Sequence, residues 1–251
     1  MKPLLRPWWW LLDYVYAGWR QLLSFFRRRC PATFASGDPC KPAIVLLPGV
    51  YETWLFLEPA AQRLNALGYR VFAVPELGVN RRAIPESAAV VATTVAGLAY
   101  AHGFSQCILL AHSKGGLIGK HAMLDAGAFP SSDAGTTVPA PAGPASGGAV
   151  EILGLVAIGT PFSGSLYARY MISRTLRHFS PDDTVLMSLQ AETDINAMVV
   201  SIYPEFDPHI PGGSALPGAR NVELPVSGHF RTLRDKTVLA AVEHAVAGLS
   251  G

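Results

Sequence analysis

The sequence predicts an α/β protein: a central, mostly parallel sheet flanked by helices, preceded by an N-terminal amphipathic helix. Three observations carry that expectation. From Cys40 onward, short and wholly apolar runs alternate with segments whose apolar residues recur at helical spacing. The chain has 251 residues, 50% of them hydrophobic and only 15% charged, enough apolar surface for one sizeable core in a single domain. Strand and helix in strict succession require right-handed crossovers, and these build a parallel sheet.

Residues 1–39 stand apart as an amphipathic helix with a linker. Trp8-Trp9-Trp10 opens the segment and Arg27-Arg28-Arg29 closes it. Asp13 and Arg20 interrupt the apolar stretch from Trp8 to Phe26, no small-residue cleavage site follows it, and its arginines lie on the wrong side for export. Neither a signal peptide nor a membrane-spanning helix is therefore expected. At about 100° per residue, Asp13, Ala17, Arg20, Ser24 and Arg27 share one narrow face, and Trp8, Leu12, Val15, Trp19, Leu22 and Phe26 share a broad opposite one. Three readings remain: residues 7–29 are an interfacial anchor on a membrane surface, a helix docked on their own catalytic domain, or, disfavoured by the two charges, a true span.

Residues 40–251 hold the main domain. Ala43 to Leu47 reads as a buried strand, Leu57 to Leu67 as a helix stopped by Gly68, and Arg70 to Val74 as the next strand. Ala88 to His102 is an Ala/Val-rich helix, Gln106 to Ala111 a strand, and Gly115 to about Ala126 a helix. Residues 127–150 are mainly Pro, Gly, Ser, Thr and Ala, and are expected to be a flexible insertion. The sheet resumes with Glu151 to Ile158. Tyr167 to Phe179 and Pro181 to Glu192 read as helices, the second capped by Ser180 ahead of Pro181. Ala197 to Tyr203 and Asn221 to Leu224 are the last strands, and Thr237 to Leu249 closes the chain as a helix.

Composition excludes several function classes. Lys and Arg number 20 against 18 Asp and Glu, a formal charge of +2 with no long basic stripe, so nucleic acid is not an expected partner. Three cysteines make no disulfide framework. Cys107 reads as a buried small hydrophobe, while one bridge between Cys30 and Cys40 stays open; the plainer expectation is a reduced, cytoplasmic protein, peripheral at the membrane if the helix is an anchor. No His-Glu-x-x-His or paired-cysteine spacing occurs, so no metal is expected.

The residues that carry chemistry begin with Ala111-His112-Ser113-Lys114-Gly115-Gly116, at the junction of a strand and a helix. A serine on such a turn is strained and exposed, and small neighbours let strand and helix approach. The segment looks like a nucleophile elbow with Ala111 in place of the more usual glycine. From about Pro42 to the C-terminus the chain resembles the α/β-hydrolase fold superfamily, serine lipase/esterase branch. The resemblance implies an ester-cleaving enzyme that needs no cofactor and uses a Ser-His-Asp triad.

Within that resemblance Ser113 is the nucleophile. His229 follows the last strand and precedes the closing helix, the place of the base. His112 belongs to the elbow and points into packing; His121 and His244 are helical; His102, His178 and His209 lack the strand-end position. The acid should follow the preceding strand. Asp207, in Asp207-Pro208-His209-Ile210-Pro211, is the first choice and Glu205 the alternative. Leu46-Leu47-Pro48-Gly49-Val50-Tyr51 occupies the oxyanion-loop position, with Pro48 where histidine is usual. Backbone N–H groups of Val50 and Lys114 are the expected donors, with Tyr51 the alternative to Val50.

Gly159-Thr160-Pro161-Phe162-Ser163-Gly164-Ser165 resembles a turn of many lipases, and residues 165–196 fall where that branch carries a cap or lid. Met171, Leu176, Phe179, Val185, Leu186, Met187 and Leu189 are candidates for an acyl pocket or for plain core. The Lys114 side chain is expected either to be solvated or to lie at the pocket mouth, favouring an anionic substrate. The implied substrate is a small-molecule carboxylic ester, with lipid or acyl esters preferred. A thioester or short-acyl ester, and a non-catalytic module holding an apolar ligand, are the alternatives.

Overall fold

The computed structural model describes residues 6–127, 150–165, 167–168 and 179–251. The insertion expected at 127–150, the helix expected from Tyr167 to Phe179 and the candidates Met171 and Leu176 fall largely or wholly outside the described residues.

Six strands form one parallel sheet: β1 (Ala43–Leu47), β2 (Val71–Ala73), β3 (Gln106–His112), β4 (Glu151–Ile158), β5 (Val199–Phe206) and β6 (Arg220–Ser227). Their spatial order is β2-β1-β3-β4-β5-β6. Strands β1 to β4 are largely apolar because both faces of the sheet are covered there, whereas the edge strand β6 is polar in part and incompletely buried. Successive side chains of β1 therefore enter different cores: Ala43, Val45 and Leu47 face one side, Ile44 and Leu46 the other, and all five are fully buried.

Helices α1 (Arg6–Phe26), α2 (Glu58–Ala66) and α6 (Lys236–Leu249) cover one face; α3 (Ile84–His102), α4 (Lys114–Asp125) and α5 (Thr184–Ala191) cover the other. Among the described residues α3 is the one helix long and apolar enough to cross a membrane, yet Ile84, Ala88, Val91, Val95 and Ala99 pack into the core. Cys107 is buried there as expected.

Several boundaries differ from expectation. Strand β5 starts two residues later and runs three further, and β6 extends over Arg220–Ser227, because β5 and the edge strand β6 pair along most of their length. Helix α5 is capped by Asp183, not Ser180. The Asp183 Oδ1 accepts from the N–H groups of Val185 and Leu186, leaving Pro181 ahead of the helix.

Helix α1 docks with its polar side inward. Asp13 is fully buried, and Tyr16, Ala17 and Arg20 are 6–8% exposed. The Arg20 Nη1 donates to Glu58 Oε2 at 2.9 Å, and Arg27 pairs with Glu58 Oε1 at 2.6 Å. Ser24 and Thr53 hydroxyls lie 2.8 Å apart, and Gln21 Nε2 donates to the Tyr51 carbonyl at 3.3 Å. A buried arginine is tolerable here because a carboxylate of the domain neutralises it. The broad apolar face points outward.

The order reversal between β2-β1 and β3 opens a crevice at the carboxyl ends of β1 and β3, which is where open parallel sheets place their ligands. The segments after β1, β3, β5 and β6 all converge there.

Candidate active site

Ser113 sits between β3 and α4 at φ 52° and ψ −122°, a left-handed conformation that a non-glycine residue holds only when its surroundings enforce it. The surroundings are visible. Ser113 N–H donates to the Ile158 carbonyl at 2.9 Å, and the Ser113 carbonyl accepts from Thr160 Oγ1 at 2.9 Å and from Gly116 N–H at 3.1 Å. The turn also needs its glycines. A Cβ on Gly115 would lie 2.0 Å from the Leu47 carbonyl oxygen, and one on Gly116 would lie 2.1 Å from Thr160 Oγ1. Thr160, from the turn after β4, thereby acts as a brace for the elbow.

His229 follows β6 and is 4% exposed; Asp207 follows β5 and is 5% exposed. His229 Nδ1 donates to Asp207 Oδ2 at 2.7 Å. The other oxygen, Oδ1, accepts from the N–H groups of His209 at 2.7 Å and Ile210 at 3.1 Å. The Asp207 carboxyl is thus held on both oxygens. Glu205 lies exposed on β5; the structure brings Asp207, and not Glu205, to the imidazole.

Burial works against an imidazolium at His229. The Asp207 carboxylate, charged and hydrogen-bonded to it, with Asp13 and Glu52 further off, outweighs that and holds His229 above its ordinary value. For Asp207 burial acts upward, but the facing His229 charge and hydrogen bond, with the His209 amide, hold the carboxyl below its usual range.

Ser113 and His229 line one cavity of about 540 Å³, which also takes in Val50, Pro161, Ala168 and Phe179. Its walls are mostly apolar, with few polar groups, the pattern of a small-molecule site. The Ser113 hydroxyl makes no hydrogen bond among the described residues; contacts between nucleophile and base are commonly looser before substrate enters. Of the apolar candidates, Phe179 lines the cavity, Leu186 and Leu189 belong to the core, and Met187 is exposed.

Val50 lines the same cavity, and its N–H has no acceptor among the described residues. Tyr51 is excluded as its substitute, because its N–H already donates to the Val79 carbonyl at 2.8 Å. Lys114 opens helix α4, so its N–H belongs to the first turn and lacks an intrahelical acceptor. The Lys114 side chain corrects both expectations. It is 2% exposed and turns away from the cavity, donating to the Asn80 carbonyl at 3.0 Å and to the Arg82 carbonyl. Burial brings its ammonium down to about 8, with Glu86 opposing.

Three residues around the imidazole were not legible in the sequence. Asp13, on α1, accepts from His229 N–H at 3.0 Å through Oδ2, and from Phe230 N–H at 2.9 Å and Arg231 N–H at 2.8 Å through Oδ1. Glu52 is 1% exposed and accepts from Gly49 N–H at 2.8 Å and from His112 Nδ1 at 2.8 Å. His112 Nε2 faces the His229 carbonyl at 3.3 Å. Glu52 and His112 together tie the loop after β1 to the loop after β6. His209, set aside on position, lines the cavity with its ring 4.9 Å from that of His229 and packed on Trp10 and Tyr14. Burial, followed by the His229 charge, drives it down to about 3. It stays neutral. An acidic residue inside an otherwise apolar helical stretch was the signal that could have pointed to Asp13.

No family model matches the sequence, and no curated protein matches it. Solved structures do. The mature form of a Bacillus licheniformis lipase superposes with a TM-score of 0.59 at 15% identity, covering 84% of this chain and 94% of that one. Aspergillus fumigatus lipase B gives 0.62 at 16% identity, covering 89% of this chain and 59% of that one. A structure from a study of carboxylesterases of the thaumarchaeon Nitrososphaera gives 0.53 at 12% identity over 85% and 92% of the two chains. These likenesses establish the α/β-hydrolase fold.

Proposed function

We propose that this protein is a serine hydrolase that cleaves carboxylic esters, with lipid or acyl esters as its substrates. The observation that carries the reading is Ser113, strained at the β3–α4 turn and opening into the cavity shared with His229, whose Nδ1 is bound to Asp207. The solved structures of similar fold that are described as lipases and carboxylesterases support it.

In this mechanism the substrate carbonyl lies above Ser113. Ser113 Oγ bonds to the carbonyl carbon as its proton passes to His229 Nε2, and the carbonyl becomes an oxyanion facing the N–H groups of Val50 and Lys114. His229 returns the proton to the leaving alcohol oxygen as the ester C–O bond breaks. Water, deprotonated by His229, then attacks the acyl-serine, and collapse releases the acid and restores Ser113. Asp207 holds the tautomer with Nδ1–H and stabilises the imidazolium that forms twice per cycle.

Hydrolysis of p-nitrophenyl esters from acetate to palmitate tests this on the full chain. Expected is turnover that falls roughly 10⁴-fold or more in Ser113→Ala, with a preference for medium or long acyl chains. A profile peaking at acetate would identify a short-acyl esterase. Turnover of acyl thioesters alone would identify a thioesterase. No Ser113-dependent turnover on any of these, together with no fluorophosphonate labelling, would leave the fold as an apolar-ligand module.

A further inference from the structure

Helix α1 departs from the usual build of a surface helix, in which apolar residues face the core and polar ones face water. Its two internal charges, Asp13 and Arg20, are buried against the domain. Its outward face carries Trp8, Leu11, Tyr14, Val15, Trp19, Leu22, Phe25 and Phe26, each 50–80% exposed. Gly18 and Gln21 are the remaining exposed positions between Trp8 and Phe26, so no charge interrupts the stripe. It extends along most of a 21-residue helix. An uninterrupted apolar strip of that kind on a folded protein marks an interaction surface.

We infer that this face docks on an anionic lipid bilayer and sets the mouth of the Ser113 cavity against the membrane. Three features select lipid over a protein partner. The stripe ends in Arg28 and Arg29, both exposed beyond the Glu58-paired Arg27, a basic cluster placed where the helix would meet anionic headgroups. Trp8, Tyr14 and Trp19 have the amphipathic rings that settle at headgroup depth, while the stripe has no charged group that would fix a protein partner in one register. The cavity lies along one edge of the same helix: Trp10, Tyr14, Gly18 and Gln21 line it, and Tyr14 and Gly18 also belong to the outward stripe. A bilayer beneath the stripe borders the cavity. A second cavity of about 560 Å³ follows further along that edge, lined by Gln21, Phe25, Arg28 and Arg81.

The docking stands on the exposed face alone; delivery of substrate from the bilayer rests on the ester-hydrolase reading. In a flotation experiment the inactive Ser113→Ala full-length protein is mixed with vesicles of phosphatidylcholine, with and without phosphatidylglycerol. A second sample adds Val15→Gln, Trp19→Gln and Phe26→Gln, positions that line neither cavity. Expected is flotation with the anionic vesicles that weakens with added salt and drops roughly tenfold or more in the triple variant. The triple change made in the active protein should leave p-nitrophenyl acetate turnover in vesicle-free buffer within about twofold, since none of the three side chains touches the site. Failure of the parent to float, or equal flotation of the triple variant, would overturn the docking. So would a soluble dimer that the triple variant turns into a monomer without either form floating. If the triple variant misfolds by circular dichroism, Val15→Gln and Trp19→Gln are read singly against the same criteria. Absence of esterase turnover beside intact flotation would remove only the hydrolytic reading.

Discussion

Two buried carboxylates hold the loop of His229, and they reach it from opposite ends of the chain. Asp207 comes from the end of β5 and touches the ring; Asp13 comes from helix α1 and touches the backbone, taking the N–H groups of His229, Phe230 and Arg231. Asp207 therefore acts on the electronic state of the imidazole, Asp13 chiefly on where the imidazole is. The contrast shows that α1 is built into the site and not appended to it: Gly228, at φ 116°, passes so close that an added Cβ would lie 2.9 Å from Asp13 Oδ1.

Removing the ring partner should have the larger effect on rate. Asp207→Asn keeps the size of the side chain, but its amide can face Nδ1 with a donor and favour the wrong tautomer. A loss of about 10³–10⁴-fold in kcat, with KM little changed, is expected from steady-state kinetics. The pH profile sharpens the distinction. In the proposed mechanism turnover needs the neutral imidazole, and because His229 is held above its ordinary value of 6.5, the acid limb of kcat/KM should lie above that pH. Asp207→Asn removes the largest of the three carboxylate charges that hold His229 up and should move the limb to lower pH; Asp13→Asn should move it the same way by less.

Asp13→Asn should instead register first in stability. Its carboxylate accepts three N–H groups in a fully buried setting, and an asparagine cannot accept all three without pointing its own NH₂ at one of them. A cost of about 2–4 kcal/mol by denaturant unfolding is expected, with a fall in kcat/KM of roughly 10–100-fold from a displaced imidazole. Equal rate losses in the Asp13 and Asp207 variants would break the comparison.

The same contrast explains what could be read from the sequence. The elbow is local: strand, turn and small residues lie within a few positions, so Ser113 and the strands around it were legible, as was the order Ser113, Asp207, His229. Asp13 and His229 are 216 positions apart, and no periodicity in either segment encodes their meeting. The helical spacing of α1 divided its two faces correctly but could not say which one faces the protein, because that depends on Glu58, Thr53 and the amides after β6. His209 was passed over for a related reason. Its backbone is not at a strand end, yet the turn that fixes Asp207 swings its ring into the cavity. Helix α5 shows the local limit: Ser180 before Pro181 and Asp183 before Thr184 are both plausible caps, and only the hydrogen bonds distinguish them.

The smallest expected effect on rate falls on Lys114, where the division between ring and backbone recurs inside one residue. Its N–H stands at the elbow, while its ammonium is bound to the Asn80 and Arg82 carbonyls on the far side. Lys114→Met keeps the N–H and the length of the side chain but leaves two carbonyls without that donor. Turnover of a soluble ester should therefore stay within roughly threefold, while stability falls by about 1–3 kcal/mol. Because burial has brought the Lys114 ammonium down to about 8, the pH dependence carries a sign. In the folded protein Lys114 loses its proton at a pH where the unfolded chain still holds it, so the cost of burying the charge is relieved and the wild type should gain stability between about pH 8 and the ordinary lysine value of 10.5. The variant should lack that gain, and urea unfolding of both proteins at pH 7 and pH 9.5 reads the difference. A large rate defect at Lys114→Met with unchanged stability would place the ammonium in the reaction and contradict its position away from the cavity.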